Sequence, residues 1–405
     1  MKSTTAPWLV VLIGLVALPL MFQNPIVVPI LNQIGIAIIF SMSYNMVLGQ
    51  TGLLSFAHAV FFGFGGFATV NVLRLAGAGD LLVPVPLVPV FGALSGLAMA
   101  VLLGSFTSKR VGMAFAMITM CLVELVLASA ILFGRFYGGS FDRTQAPTLF
   151  GLDFQSDISV YYLITVWLSL SILGMAAYAR SPLGRMANAV RDNAARAEFI
   201  GYNTRIVRFA ALSASGLFAG IAGSLFAVAY EFVGGEVISA ATSGNVIIMT
   251  YIGGIGHFAG PILGAVVLTL LQTLLSNYTG IWGFYVGLVF VATVVFAPHG
   301  LAGVISAHLT LRDSKAWRPL LWPYALSLAG VVLTAMGVIG TLEMVSFLNE
   351  AGVGETRLGL AGLSLNTASS FPWIGFGVLI TLGGLILRRS LPAAHQAWRQ
   401  AVEQH

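Results

Sequence analysis

The chain has 405 residues, of which 58% are apolar and 8% charged; it carries 47 glycines and a formal net charge of +5. So little charge cannot cover the surface of a water-soluble protein of this length, which excludes a soluble globular enzyme or binding module. The charges lie in short clusters separated by long apolar runs, the pattern of a chain made for lipid.

A run of about 20 apolar residues crosses a hydrocarbon core of about 30 Å as a helix. The runs are continuous and do not alternate, so they predict helices and not a barrel. In chain order they are Trp8–Phe22, Ile26–Leu48, Phe56–Leu75, Val83–Ser105, Val111–Phe133 and Val160–Ala179. After a charged segment come Phe209–Tyr230, Ile238–Gly256, Phe258–Leu275, Ile281–Ala297, Leu320–Leu342 and Phe371–Leu387. The fold class expected is all-α, a polytopic transmembrane bundle of about 10–12 spans. Lys2 followed by an apolar run with no small-residue cleavage site predicts an uncleaved first span. The run before Gly256 is short and ends in Gly253-Gly254-Ile255-Gly256, so a broken or re-entrant form stays open.

Alternating these spans from a cytoplasmic N-terminus puts Lys2, Lys109, Arg110, Arg180, Arg185, Arg191, Arg196, Arg205, Arg208, Arg312, Lys315, Arg318, Arg388, Arg389 and Arg399 inside. Only Arg74, Arg135, Arg143 and Arg357 fall outside, with most of the acids. This asymmetry is the positive-inside pattern, with both termini cytoplasmic, and it accounts for the basic excess without nucleic acid. Small residues recur four apart at Gly216, Gly220 and Ser224, at Ala59 and Gly63, and at Gly260 and Gly264, a spacing that lets helix backbones approach closely in lipid. The lone cysteine, Cys121, lies inside an apolar run and reads as a buried structural thiol.

The cytoplasmic segment Arg180–Arg208 is long and organised. Ser181 and Pro182 fit an N-cap and first helical position. Leu183, Met186, Val190, Ala194 and Ala197 recur at helical spacing, and Gly201 stands where a helix would end. A connecting loop that fixes topology, an interfacial helix on anionic lipid, and a docking element for a cytoplasmic partner are the three readings; the length and order of the segment favour the latter two.

The stretch Ala189–Ala227 resembles the cytoplasmic signature of the branched-chain amino acid ABC transporter permeases. Asn45–Ala68 is similar to the family's early Gly/Ser/His motif, and Arg110–Leu125, with Thr119 and Glu124, to its mid-chain span. Tyr251–Ala265 matches its Gly-Gly-x-Gly…Gly-Pro segment and Ala297–Leu301 its terminal Pro-x-Gly-Leu. The resemblance covers about Ile26 to Val304, in the family's order. It implies a permease domain over residues 1–304 whose segment 180–208 couples to an ATPase through Arg185, Arg191, Asp192, Arg196, Ala197, Glu198 and Gly201. It further implies a homologous second permease, two cytoplasmic ATPase subunits, a periplasmic solute-binding protein and a bacterial inner membrane. The match to the importer pattern Glu-Ala-Ala-x-x-x-Gly is loose, since Ala195-Arg196-Ala197 precedes Gly201. Residues 305–405 form an extension beyond the family's usual end, with two of the candidate spans.

Polar groups within the spans mark a candidate translocation path at Asn45, Ser55, His58, Glu124, Gly253 and Gly254. Glu124 is the one carboxylate deep in a predicted span, and such a group is costly unless it is paired, protonated or wetted; the plainer reading is a hydrogen bond to a neighbouring helix. His58 reads as a packed or bonded histidine, His257 sits at a glycine-rich break where exposed backbone groups could line a path, and the scattered histidines suit no metal site. No phosphate-binding loop of the form G-x-x-x-x-G-K-[ST] is present, so the chain is expected to bind no cofactor of its own, with ATP held by partner subunits. The resemblance implies import of branched-chain amino acids; urea, amides and aromatic acids are alternatives. An ion-gradient-driven secondary transporter is the rival mechanism, with Glu124 and His58 as its only candidate relay groups.

Overall fold

The computed structural model describes residues 18–19, 26–81, 83–132, 138–143, 154–310, 318–350, 356–360 and 363–403. The expected first span, Trp8–Phe22, lies outside these residues apart from two, as do Lys2, Arg135, Arg312 and Lys315. The described residues are overwhelmingly helical and fall into two compact units. The first runs to Leu275 and includes Tyr285–Gly303; the second comprises Ser276–Phe284 and everything from Val304.

In the first unit the long helices are α1 (Val27–Thr51), α2 (His58–Gly77), α3 (Val88–Thr107), α4 (Gly112–Leu132) and α5 (Asp157–Arg180). Two short helices follow, α6 (Pro182–Asp192) and α7 (Ala194–Phe199), and then α8 (Thr204–Tyr230), α9 (Ala240–Gly253), α10 (Gly260–Ser276) and α11 (Trp282–Phe296), while α12 (Gly300–Thr310) belongs to the first unit only as far as Gly303. The strands β1 (Gly139–Ser140) and β2 (Phe232–Val233) pair antiparallel.

The core forms around α8, because its glycines remove the side chains that would hold other helices away. A Cβ on Gly216 or Gly220 would strike the Ala100 methyl of α3 and the α3 backbone at Gly96 and Gly92, and one on Gly223 would meet Phe62 and Gly66 of α2. Lipid offers no hydrophobic force between helices, so dispersion across such crossings must hold them. Hydroxyls add cross-links: Thr69 Oγ1 donates to Ser224 Oγ at 2.6 Å, and Ser41 Oγ to the Pro261 carbonyl at 3.1 Å. The second expected stripe meets Ile238 at Gly63, and the third seats Gly260 and Gly264 on the backbone of α9.

Eight helices among the described residues are long and apolar enough to cross a membrane, or nine if α11 and α12, bent by 47°, count as one. Six of them, α1 to α5 and α8, lie in the first unit. The expected runs Ile238–Gly256, Phe258–Leu275 and Ile281–Ala297 fall short: they fold as helices of 14, 17 and 15 residues. Glycine ends the first of them and marks the break after the third. Gly254 adopts φ 110° and ends α9 before a full crossing, and Gly300 at φ 66° separates α11 from α12; such angles are open to glycine at no steric cost. Cys121 also differs from expectation, since it is exposed on α4. In a membrane protein the lipid-facing side is as apolar as the core, so an apolar run does not report which way a residue points.

Where α5 begins and α8 ends, Arg143 forms ion pairs with Asp157 at 3.0 Å and Glu231 at 2.6 Å while its own side chain is only 12% exposed. Glu231 caps α8 in the left-handed region, at φ 56°. Replacing Arg143 by alanine leaves two carboxylates facing each other without their cation. The variant is expected to lose about 1–3 kcal/mol, read as a lowered unfolding temperature in detergent.

The second unit is built on α13 (Arg318–Glu350) and α14 (Ser370–Glu403), joined through a hairpin of β3 (Arg357–Leu360) and β4 (Leu363–Asn366). A Cβ on Gly330 would lie 2.9 Å from Leu387, and one on Gly337 2.7 Å from the Phe376 carbonyl. Ser327 donates to Ser390 at 3.0 Å. At 33 and 34 residues both helices are about 50 Å long, well beyond the hydrocarbon core of a bilayer.

Candidate functional site: a folded-back segment and a helical platform

The first constellation begins where α1 ends. Gly52, at φ 71°, turns the chain with its N–H on the Leu48 carbonyl, and residues 53–57 return along α1 without forming a helix. The return is measured by His58, the first residue of α2, whose ring lies 4.7 Å from that of Tyr44. Tyr44 is seven residues before Thr51, so the chain has retraced about 10 Å.

Bare backbone inside a membrane protein must find partners within the protein. Here side chains supply them. Thr119 Oγ1 of α4 accepts from the Phe56 N–H at 3.1 Å, Ser55 Oγ from that of Ala57 at 3.3 Å, and Ser243 Oγ of α9 from that of Ala59 at 3.1 Å. Ser243 also donates to the Phe56 carbonyl. Ser55, His58, Thr119, Ser215 and Ser243 are fully buried. Ser215 Oγ donates to the Ser43 carbonyl at 2.7 Å, so it must accept from His58 Nε2 at 2.6 Å, which fixes the proton on Nε2.

A second cluster lies at the end of α9. A Cβ on Gly49 would sit 3.0 Å from the Ile255 carbonyl and against Asn45; one on Gly253 would strike Gly260, and one on Gly254 the His299 carbonyl. The structure thus places Ser55 and His58 in the folded-back segment, and Asn45, Gly253 and Gly254 in the glycine cluster. Glu124 joins neither. It is exposed on α4, beside Cys121, with no ion pair or hydrogen bond among the described residues, so the bond to a neighbouring helix is not made.

The segment Arg180–Arg208 forms a platform of two helices where one was expected. Ser181 caps α6 by accepting from Gly184 N at 3.2 Å, as its position implies. The break is at Asn193, which ends α6 in extended geometry and caps α7 through Oδ1, accepting from Arg196 N at 2.9 Å. Ala187, Val190, Ala197 and Val207 form a small buried core with Met186 and Ala194 against it. Leu183, expected in that stripe, is exposed, and Gly184 and Ala187 take the inner face, because α6 is rotated toward the end of α5.

The expected coupling residues separate accordingly. Ala197 is core. Glu198 Oε1 accepts from Thr204 Oγ1 at 2.7 Å and ties α7 to α8. Arg185 donates to the Arg180 carbonyl at 3.1 Å, and Gly201, at φ 92°, closes the platform. Arg191, its side chain 37% exposed, donates to the Gly49 carbonyl, with Asp192 Oδ1 accepting from its Nε at 3.1 Å. Arg196 remains exposed, next to Phe199 at 92% and Ile200 at 68% exposure. Sequence reasoning passed over Asn193, Ser215 and Ser243; the signal was an isolated hydroxyl or amide in an otherwise apolar or alanine-rich run.

The bundle, its glycine-bound crossings and its platform outside the spans define a polytopic helical membrane permease. The chain belongs to the family described as branched-chain amino acid transport system / permease component, whose model matches residues 26–298. It is 27% identical over 306 residues to the high-affinity branched-chain amino acid transport system permease protein LivM of Escherichia coli, covering 69% of this chain and 71% of that protein. Against the probable branched-chain amino acid transport permease protein LivH of Methanocaldococcus jannaschii it is 23% identical, covering 67% and 89%. It is also 30% identical over 167 residues to the autoinducer 2 import system permease protein LsrC of Escherichia coli, covering 38% and 45%. No solved structure matches the chain.

Proposed function

We propose that the chain is the membrane-spanning subunit of an ATP-driven importer of branched-chain amino acids or related small solutes. It works with a second permease, two cytoplasmic ATPase subunits and an external solute-binding protein, and both its termini are cytoplasmic. The substrate class follows the names of its relatives; urea, amides and aromatic acids are the alternatives. ATP is hydrolysed on the partners.

The observation that carries this reading is the tip of α7. Phe199 and Ile200 are exposed, beside the exposed Arg196, on a platform that has a small buried core of its own. Apolar side chains displayed this way on a charged surface suit a protein cleft. The enclosed and hydrogen-bonded state of His58 supports a structural role for it and counts against an ion-driven relay.

Purification of the tagged chain from its native membrane is expected to bring down nucleotide-hydrolysing subunits, and Arg196→Glu to reduce their recovery at least tenfold with insertion intact. Vesicles holding the complex should take up leucine with ATP present and a collapsed proton gradient. Uptake that survives ATP depletion and stops with the gradient would establish the ion-driven transporter instead.

A further inference from the structure

We propose that Arg191 is a positioning residue that carries movement of the platform to the glycine break at the end of α9. This rests on the ATP-driven reading above, in which the platform is the surface a motor subunit moves.

Arg191 leaves α6 near its end, its side chain 37% exposed, and reaches the end of α1. Its Nη1 donates to the carbonyl of Gly49, in the last turn of α1, and its Cγ lies 3.1 Å from where a Cβ on Gly52 would stand. The last carbonyls of a helix lack intrahelical partners and favour a cation, yet α1 has no basic residue in its last turn. Arg191 supplies that charge from another helix, and Asp192 holds the guanidinium, with Oδ1 3.0 Å from Nη2.

Gly49 faces the break on its other side. The Ile255 carbonyl lies 3.0 Å from its Cβ position, and Gly254, at φ 110°, packs in turn on His299 and Gly300. The Arg191 side chain therefore links the platform to the end of α1, and Gly49, with the Asn45 amide beside it, abuts the backbone of the break that packs on the start of α12. Closely packed elements switch between discrete arrangements and do not deform continuously, so a shift of α6 must either break the Arg191 contact or move the end of α1 against the break.

The test reads motion at the break and needs no knowledge of the solute. Ile255→Cys in a Cys121→Ser background is alkylated with N-ethylmaleimide in the purified complex, without nucleotide and with ATP plus vanadate. With Arg191 present, nucleotide should change the alkylation rate at least fivefold. Arg191→Gln should leave recovery of the ATPase and its hydrolysis within twofold while the nucleotide effect at Ile255 falls below twofold. Arg191→Lys, which keeps the charge but not the planar fork, should be intermediate, and it carries the test if the glutamine variant does not accumulate. A full nucleotide effect in Arg191→Gln, or an Ile255 that ignores nucleotide in the unmodified complex, overturns the proposal. Loss of the ATPase from Arg191→Gln alone would make Arg191 a docking residue and overturn it as well. A complex that lacks an ATPase even with Arg191 present removes the ATP-driven reading, a failure distinct from the others.

Discussion

Gly220→Leu is expected to abolish accumulation of the protein in the membrane. Gly220 lies where α8 crosses α3 and α2: a Cβ there would strike the Gly92 carbonyl and come within 3.0 Å of the Gly96 Cα, and a Cβ on Gly65 would meet Gly220 itself. All of these neighbours are backbone, so no rotamer change can make room. Overpacking a tight core ordinarily costs about 1–3 kcal/mol, and separating three helices at their common crossing costs more than about 4 kcal/mol. Gly220→Ala should already lower the yield of monodisperse protein several-fold in size-exclusion chromatography. Gly244→Ala provides the control, because nothing lies within 4 Å of a Cβ at that site in α9. Equal yields from the two alanine variants would show that the crossing is not what holds α8 in place.

His58 provides the second large effect. Replacement by leucine removes the donor to Ser215 and leaves a fully buried hydroxyl beside an apolar chain. The lost bond and imperfect filling together cost about 2–4 kcal/mol, seen as a fall in the detergent unfolding midpoint. Glutamine separates structure from proton transfer. Its amide can donate as the Nε2–H does, but it does not titrate near neutrality. His58→Gln is expected to recover most of the stability and most of the uptake. A glutamine variant as stable as the parent but inactive would establish His58 as a relay.

The contrast between residues explains how much of this was visible in the sequence. The long spans were legible because length and hydropathy are direct requirements of the bilayer, and the helix-crossing glycines because their four-residue spacing is a geometric demand. The cap at Ser181 was legible from local chemistry alone. The break at Asn193 was not, since alanines on both sides continue the helical pattern and asparagine is tolerated within helices at modest cost. Composition also gives no sign that Arg191 bonds the Gly49 carbonyl while Arg196 does not; that difference is fixed by the end of α1, more than a hundred residues away in sequence. The short α9 was signalled by its run of glycines, but its termination required the actual angle at Gly254.

The folded-back stretch 53–57 has a consequence for synthesis. Its peptide groups depend on Thr119 and Ser243, the second of which leaves the ribosome nearly two hundred residues after the segment it satisfies. Until then those amides have to be shielded by water, by translocation machinery or by transient contacts, so α1 and α2 cannot settle in their final depth as they emerge. The early half of this bundle is completed by its later half, and a nascent chain halted before α9 would expose the quality-control apparatus to a half-finished membrane protein.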